Sequence, residues 1–174
     1  LYPKINNFVE ERPIEMGLQR RVVNVSNGQV SYWEGGNPNG EPILWIHGFG
    51  GDSMWAWVRN IPAFTGNYRI IAPDLLWFGD SYGGVDLDSQ VDAMLTVLQA
   101  EGIERTHIVA LSYGGFVGLK MMTSGVVESL VLVGVGGADW GPEEINRLKD
   151  RYKVDSLSDL FVPESPKDVR TLVD

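Results

Sequence analysis

The sequence predicts an α/β fold, in which short buried strands alternate along the chain with helices. Four apolar runs show no alternation of apolar and polar residues, which is typical of strands covered on both faces. These runs are residues 42–46, 69–72, 107–111 and 130–133. Helical stretches separate them, at residues 53–64, 87–100 and 113–122. Since strands joined through helices pair in parallel by right-handed crossovers, we expect a mostly parallel sheet flanked by helices.

The two ends of the chain depart from this alternation. From Arg21 the apolar period changes to two, and the segment up to Trp33 is predicted to be a hairpin turned at Asn27-Gly28. After Gly137 the sequence becomes charged and helix-forming, without a strand pattern. We therefore expect residues 1–137 to form the N-terminal part of an α/β core and residues 138–174 to begin a helical lid.

Composition limits the partners of this chain. Its 14 basic and 23 acidic residues give a formal charge of −9, which disfavours nucleic acid and anionic membrane surfaces. The absence of cysteine excludes disulfides and thiol chemistry. The sequence shows no metal cluster, phosphate-binding loop or dinucleotide fingerprint, so neither a metal nor a cofactor is predicted. No apolar run reaches the roughly 18 residues that span a bilayer, and nothing here assigns a compartment.

The strongest local motif surrounds Ser112. The segment Ala110-Leu111-Ser112-Tyr113-Gly114-Gly115 follows a predicted strand directly and opens a predicted helix. A nucleophilic serine on such a sharp turn needs small residues two positions before and after it, in the pattern G-x-S-x-G. Ala110 replaces the first glycine, a mild departure because alanine is the next smallest residue. The alternative interpretation is a serine N-cap with glycines that permit close helix packing.

A second motif, His47-Gly48-Phe49-Gly50-Gly51, follows the first buried run. Glycines let a backbone approach a bound molecule closely, and fixed backbone N–H groups stabilise negative charge on a reacting oxygen. The alternative interpretation is a glycine-rich turn with a structural histidine. For His47 itself we favour that alternative, and we expect its ring to shape the loop through hydrogen bonds.

A third motif lies between these two, and the set in this order resembles the α/β-hydrolase superfamily, in particular its serine esterases and lipases. The segment from Asp74 to Ser81 is similar to the family's D-x-x-G-x-G-x-S turn, with Trp77 where glycine is usual. The resemblance extends from about Arg21 to the end of the chain. It implies an α/β-hydrolase fold in which Asp74 and Ser81 are structural and pin the loop beside the active site.

The resemblance also implies roles for the residues of the other two motifs. Ser112 corresponds to the nucleophile of a serine hydrolase. The backbone N–H groups of Phe49 and Tyr113 correspond to the donors of an oxyanion hole. The remaining residues support this loop, and they are His47, Gly48 and Gly114.

A narrower resemblance is to monoacylglycerol-lipase-like members of the superfamily. It rests on the segment Gly17-Leu18-Gln19-Arg20-Arg21, a charged helix at residues 143–153 and the lid-like segment Val162-Pro163-Glu164-Ser165-Pro166. Such relatives often carry a signal peptide or a membrane anchor ahead of their first helix. A leader or anchor upstream would explain why the chain begins at Leu1 and not at methionine.

The same resemblance implies an acid and a general base, and the chain does not supply the histidine that would be the base. Activation of a serine hydroxyl needs a histidine oriented by a carboxylate, and both follow the nucleophile in family order. The chain has two histidines, and neither follows Ser112. His107 precedes it along the strand by roughly 16 Å, at about 3.3 Å per residue. Asp139 is the candidate for the acid, with a role at the lid entry as the alternative.

We therefore expect the chain to be the N-terminal portion of a larger hydrolase, truncated within the lid. The leading hypothesis is hydrolysis of small apolar carboxylic esters by the parent enzyme, with an apolar pocket suggested by Trp55, Trp57, Trp140, Leu157, Leu160 and Phe161. Alternatives within the fold are carbon–carbon bond hydrolysis, perhydrolase and amidase chemistry. Outside it, the chain is an inactive fragment or interaction module that associates with a complementary C-terminal fragment or with itself.

Overall fold

A six-stranded sheet forms the centre of the computed structural model, which describes residues 11–136 and 141–156. The strand order is β1-β2-β4-β3-β5-β6. The strands are β1 Gln19–Val25, β2 Gly28–Gly36, β3 Pro42–Ile46, β4 Arg69–Pro73, β5 Thr106–Leu111 and β6 Val127–Val133. Strand β2 is antiparallel to β1 and β4, whereas β3 is parallel to β4 and β5, and β5 is parallel to β6. The predicted mostly parallel α/β sheet is confirmed.

Besides a helical stretch at residues 11–15, the described part of the chain contains four helices, and their ends follow local capping chemistry. They are α1 Ser53–Trp57, α2 Leu87–Ala100, α3 Tyr113–Met121 and α4 Pro142–Tyr152. The Asp52 carboxylate accepts from the Trp55 N–H at 2.7 Å and caps α1, and Asp86 caps α2 in the same way. The single helix predicted over residues 53–64 is wrong, because α1 ends at Trp57 and a 3₁₀ turn follows at Ile61–Ala63. Pro62 lacks an N–H and its ring clashes with the preceding helical turn, so a continuous helix is excluded.

The predicted hairpin is present, but its turn lies one residue earlier than expected. Val25 pairs with Gly28, so Ser26 and Asn27 form a two-residue loop with Asn27 at φ 58°. Gly28 is the first residue of β2 and does not form the turn. A Cβ at this position would overlap the Tyr82 carbonyl oxygen, so glycine is needed here for the segment around Tyr82 to approach β2 closely.

Both faces of the central strands are covered, as their uninterrupted apolar sequences predict. One apolar cluster joins Leu44 and Ile46 of β3 to residues of α2 and α3, such as Met94 and Val117. The opposite cluster joins the alternate residues of β3 to α1 and the 3₁₀ turn, and it includes Ile43, Trp45, Trp57 and Ile61. The Trp45 and Trp57 rings pack edge to face with centroids 5.1 Å apart. Trp57 therefore belongs to the core, and its predicted contribution to a substrate pocket stays a prediction.

Strand β6 differs from the central strands in its burial. Val131, Leu132 and Val133 are 40–53% exposed, although the run 130–133 was expected to be covered on both faces. The strand is the last of the sheet, and within the described residues no element pairs with its outer edge. Apolar residues on such an edge favour association with further chain or a second copy. The predicted complementary fragment or self-association therefore stays a prediction.

The chain divides into two compact units, at residues 1–135 and 136–174. The second contains α4, which has Pro142 in its first turn, acidic residues near its start and basic residues near its end, as the helix dipole favours. Several predictions concern residues outside the described ranges. These residues are Asp139, the segment 162–166 and the apolar residues predicted for the lid, namely Trp140, Leu157, Leu160 and Phe161. The assignment of residues 138–174 to a lid stays a prediction. None of the described helices combines the length and apolar character needed to cross a membrane.

Candidate active site

The candidate site lies at one edge of the sheet, where three parallel strands end. Strand β3 lies between β4 and β5, and Ile46 at its end is in register with Ala110. The carboxyl ends of parallel strands meet at the same edge. The segments that follow these strands, residues 47–52, 74–86 and 112–115, are therefore neighbours in space, and they carry the three motifs.

Ser112 occupies a strained turn between β5 and α3. Its backbone has φ 49° and ψ −119°, a combination that L-residues rarely adopt. The Ser112 N–H donates to the Val133 carbonyl at 2.9 Å, and the Ser112 carbonyl accepts from the Gly115 N–H at 2.9 Å. The residue is exposed, and its side chain makes no capping hydrogen bond to α3. The N-cap interpretation therefore lacks its defining contact, whereas an accessible hydroxyl on a strained turn is what a nucleophile elbow needs.

Small residues let the turn and the loop after β3 pack directly against each other. A Cβ at Gly48 would lie 3.0 Å from the Ser112 Cβ and 3.1 Å from the Leu111 carbonyl oxygen. A Cβ at Gly114 would overlap the His47 carbonyl oxygen. Ala110 is fully buried, so its methyl group is accommodated where the motif usually has glycine. These approaches bring the loop backbone next to the Ser112 side chain.

Two backbone N–H groups near Ser112 are available to a ligand. Tyr113 is the first residue of α3, and N–H groups in a first helical turn have no acceptor within the helix. The Phe49 N–H makes no hydrogen bond to any group within residues 11–136 and 141–156. The loop around Phe49 bends through Gly50 at φ 94°, a conformation that favours glycine. Both groups are candidate donors to a negatively charged oxygen, as the sequence predicts.

His47 is a buried member of the loop, and both of its ring nitrogens have partners. Nε2 accepts a hydrogen bond from the Leu75 N–H at 2.9 Å, so the proton is on Nδ1, which donates to the Gly48 carbonyl at 2.7 Å. Burial lowers the pKa of the ring below its ordinary value of 6.5. The neutral ring connects the loop after β3 to the loop after β4, and neither nitrogen is free to accept a proton from Ser112.

Asp74 holds the same two loops together through its buried carboxylate. One oxygen accepts from the N–H and the hydroxyl of Ser53, at 3.0 and 2.6 Å. The other accepts from the Arg20 guanidinium at 2.8 Å. Arg20 also donates to the Ser31 hydroxyl at 2.7 Å and to the Asp80 carboxylate at 3.0 Å. The carboxylate is therefore paired on both oxygens, which offsets the cost of burying a charge.

Two contacts in this region have no signal in the sequence motifs. Arg20 lies 54 positions before Asp74 along the chain, and the pairing of β1 with β2 and of β2 with β4 brings the two residues together. Gln90 of α2 accepts from the Leu76 N–H at 2.9 Å and donates to the Leu76 carbonyl at 3.1 Å. Ser81, which the resemblance identifies as structural, accepts from the Ser31 N–H at 2.9 Å. The Gln90 and Ser81 bonds thus give partners to backbone groups of Leu76 and Ser31.

A general base for Ser112 is absent from the part of the chain that the structure describes. The Ser112 hydroxyl bonds to no side chain in residues 11–136 and 141–156. His107 lies near the opposite end of β5, where its ring nitrogens contact the Ser129 hydroxyl at 2.8 Å and the Glu41 carboxylate at 3.3 Å. Asp139 lies outside the described residues. Among the described residues there is also no group of three or more metal-ligating side chains that could hold a metal ion.

The sequence matches a known protein family. A model of the alpha/beta hydrolase family matches residues 43–173, well over half of the chain, and the chain therefore belongs to this family. It is 31% identical over 168 residues to lipase 3 of Moraxella sp. (strain TA144), covering 84% of this chain and 53% of that lipase. It is 35% identical over 138 residues to 2-hydroxymuconate semialdehyde hydrolase of Pseudomonas sp. (strain CF600), covering 67% of this chain and 49% of that hydrolase.

A solved structure shows the same likeness in three dimensions. A membrane phospholipase A, described as a bacterial virulence factor, superposes with a TM-score of 0.80 at 27% identity. The superposition covers 99% of this chain and 56% of that protein. The chain thus has an α/β-hydrolase fold and spans about half the length of the relatives that it matches.

Proposed function

We propose that the whole protein hydrolyses carboxylic esters through an acyl-enzyme on Ser112. The observation that carries the proposal is the strained, exposed Ser112 turn packed against the loop of Phe49. The Phe49 N–H has no acceptor within the described residues, and the Tyr113 N–H lies at a helix terminus. Both support the proposal, because acyl transfer places negative charge on the carbonyl oxygen. The names of the relatives, a lipase and a phospholipase, favour ester substrates.

The chemistry assigned to these groups is a two-step acyl transfer. The Ser112 oxygen attacks the ester carbonyl while its proton passes to a base outside the described residues, and the carbonyl oxygen accepts from the N–H groups of Phe49 and Tyr113. The C–O bond then breaks, and the proton moves to the departing alcohol. A water molecule attacks the acyl-enzyme in the same way, releases the acid and restores the Ser112 hydroxyl. His47 keeps the donor loop in place throughout.

The test is the Ser112→Ala variant of the whole protein with p-nitrophenyl acetate. Loss of a serine nucleophile is expected to lower kcat by roughly 10⁴–10⁶-fold, with little change in stability because the side chain is exposed. Ser129→Ala is the matched control, since this serine lies on β6 and contacts His107 far from the site. Full activity in the Ser112→Ala variant would show that another group attacks the substrate.

Carbon–carbon bond hydrolysis is a second candidate, favoured by the 35% identity to 2-hydroxymuconate semialdehyde hydrolase. Both candidates assign the chemistry to Ser112, so they are separated by substrate and not by the loss of Ser112. We expect kcat/KM for p-nitrophenyl esters to exceed that for 2-hydroxymuconate semialdehyde. The opposite ranking would select the second candidate.

A further inference from the structure

The donor loop, residues 47–53, carries the Phe49 N–H and is held at both of its ends by two neighbouring residues. At its start, the His47 ring accepts from the Leu75 N–H at 2.9 Å. At its end, the Ser53 N–H and hydroxyl donate to one carboxylate oxygen of Asp74, at 3.0 and 2.6 Å. Phe49 itself is 67% exposed, so burial in the core does not fix it. The position of the Phe49 N–H therefore depends on how Asp74 and Leu75 are held.

The orientation of the Asp74 carboxylate is set by Ser53 at one oxygen and by Arg20 of β1 at the other. Nη2 of Arg20 lies 2.8 Å from Oδ2 of Asp74, and the Asp74 side chain is fully buried. Among residues 11–136 and 141–156, Arg20 is the one cation within 4 Å of this carboxylate. The Asp74 backbone is fixed separately, because its N–H donates to the Ser31 carbonyl at 2.9 Å. Loss of the guanidinium therefore releases the carboxylate and leaves the backbone in place.

The Arg20 guanidinium is itself held by β2, although 32% of its side chain is exposed. Nε donates to the Ser31 hydroxyl at 2.7 Å, and the guanidinium carbon lies 5.2 Å from the centre of the Trp33 ring. The planar fork of arginine allows Nε and Nη2 to bond to two acceptors at once, which a lysine ammonium on its flexible chain does not reproduce. The contacts with β2 thus direct Nη2 toward Asp74.

Arg20 is linked to the donor loop only indirectly. Within the described residues, its guanidinium makes no hydrogen bond or ion pair with the donor loop or with Ser112, and its charged partners are Asp74 and Asp80. The Asp80 side chain is 78% exposed, so its pair with Arg20 contributes little. An influence of Arg20 on the donor loop therefore passes through the Asp74 carboxylate.

We propose that Arg20 is a positioning residue for ester hydrolysis, which holds the Asp74 carboxylate and thereby directs the Phe49 N–H at the reacting carbonyl oxygen. The inference rests on the proposed function, because the donor loop affects catalysis only if the Phe49 N–H is a donor. Without the guanidinium, the carboxylate rotates, the end of the donor loop moves with Ser53, and the donor is displaced. Since the charge on the carbonyl oxygen forms in the transition state, the loss lies in kcat and not in KM.

The experiment measures kcat and KM of the whole protein for p-nitrophenyl acetate, well below the Tm of each variant, so that all of the protein is folded. In Arg20→Gln, kcat is expected to fall by about 10–100-fold while KM changes by less than about twofold. Arg20→Lys restores part of kcat, because an ammonium pairs with Asp74 but does not bond to Ser31 at the same time. An unchanged kcat in Arg20→Gln, or a change confined to KM, overturns the inference. Where Arg20→Gln does not fold, Arg20→Lys replaces it with an expected fall of about 3–10-fold, and wild-type kcat then overturns the inference.

Arg69→Gln is the matched control for the loss of a paired arginine. Arg69 is likewise partly buried, and it pairs with Glu34 and with the buried Glu101. It is the first residue of β4, whereas Asp74 follows the last, so it lies at the end of the strand away from the site. Its substitution is expected to lower the Tm and to leave kcat unchanged. Equal falls of kcat in Arg69→Gln and Arg20→Gln would trace the effect to general stability and overturn the inference.

Amide hydrogen exchange separates this inference from the proposed function, since it requires no turnover. In the whole protein carrying Arg20→Gln, the Ser53 amide is expected to exchange about tenfold faster than in the wild type, whereas in Arg69→Gln it exchanges at the wild-type rate. Unchanged exchange at Ser53 in Arg20→Gln overturns the role of Arg20 even where Ser112→Ala abolishes hydrolysis. Faster exchange supports control of the donor loop by Arg20 even where Ser112→Ala remains active and the nucleophile is wrong.

Discussion

The two sides of the candidate site differ in how completely their polar groups are paired. On the side of β3 and β4, both ring nitrogens of His47 and both carboxylate oxygens of Asp74 have hydrogen-bond partners. On the side of β5, the Ser112 hydroxyl has no side-chain partner in residues 11–136 and 141–156. The described residues therefore hold the candidate donors in fixed positions, and among them no side chain is placed to accept the Ser112 proton.

This difference follows from what each side must do. Donors to a developing oxyanion are effective when they are already fixed, because then no reorganisation is needed as the charge forms. Fixing them requires short contacts among neighbouring loops, which the adjacent strands β3, β4 and β5 provide locally. A nucleophile instead needs an accessible hydroxyl, and Ser112 is exposed.

The largest expected effect is a loss of stability on substitution of Asp74, which lies on the side of β3 and β4. The Asp74→Ala variant leaves the Arg20 guanidinium and the Ser53 donors without their buried acceptor, and the loss of one partner from a buried pair costs about 3–5 kcal/mol. We expect the free energy of unfolding in urea to fall by this amount. Asp80→Asn is the control, because Asp80 binds the same Arg20 while its side chain is 78% exposed, and exposed pairs contribute about 0–1 kcal/mol. Equal losses in the two variants would contradict this account of burial.

A smaller loss of stability and activity is expected from substitution of Gly114, where α3 contacts the loop after β3. In Gly114→Ala, the new Cβ overlaps the His47 carbonyl oxygen and lies 2.8 Å from Ile46 Cγ2, so α3 must shift from β3. Overpacking costs about 1–3 kcal/mol, which outweighs the gain of about 1 kcal/mol from the higher helix propensity of alanine. The shift also moves the candidate donors, and kcat is expected to fall by about 10–100-fold.

The control for this substitution is Gly66→Ala, since a Cβ at Gly66 meets no atom within 4 Å and its φ is not positive. Unfolding free energy and kcat are measured for both variants. Wild-type kcat in Gly114→Ala would mean that the approach of α3 to the loop has no part in positioning the donors.

The sequence was sufficient to predict the alternation of strands and helices, because it depends on local patterns. The run at residues 42–46 and the helix at residues 87–100 have the predicted bounds, since apolar continuity and helical period are properties of neighbouring residues. The break at Pro62 and the role of Gly28 were not predicted. The break follows from the helix-breaking property of proline, but the apolar residues around Pro62 favoured one continuous helix. The role of Gly28 depends on its contact with Tyr82, which is far away in the chain.

In the candidate site, too, the residues at fixed spacing were predicted and the contacts between distant residues were not. Ser112 and the glycine-rich loop were found because their backbone requirements restrict residue type at fixed spacing. The Arg20–Asp74 pair was not, because sheet packing and not spacing brings the two residues together. The exposure of Trp77 and its left-handed backbone could not be derived either, although its replacement of glycine in the third motif was the signal that marked the position.

The smallest expected effect is the pH dependence of stability that His47 contributes, again on the side of β3 and β4. Burial holds the pKa of the folded ring below 6.5, so above that pH the ring is neutral in both the folded and the unfolded chain. As the pH falls below 6.5, the unfolded chain binds a proton that the folded chain does not, and stability decreases. Between pH 7.5 and 5.5 this contribution lowers the free energy of unfolding by up to about 1.4 kcal/mol.

Urea unfolding of the wild type and of His47→Asn at these two pH values isolates the contribution. Asp86 does not interfere, because hydrogen bonds from Ser89 keep its pKa below 3.8, outside the window. His107→Gln is the matched control and keeps the His47 part of the slope, since His107 lies at the other end of β5. The same slope in His47→Asn and in the wild type would mean that the His47 ring takes up a proton when folded. The Leu75 N–H would then lose its acceptor, and the two loops would separate as the pH falls.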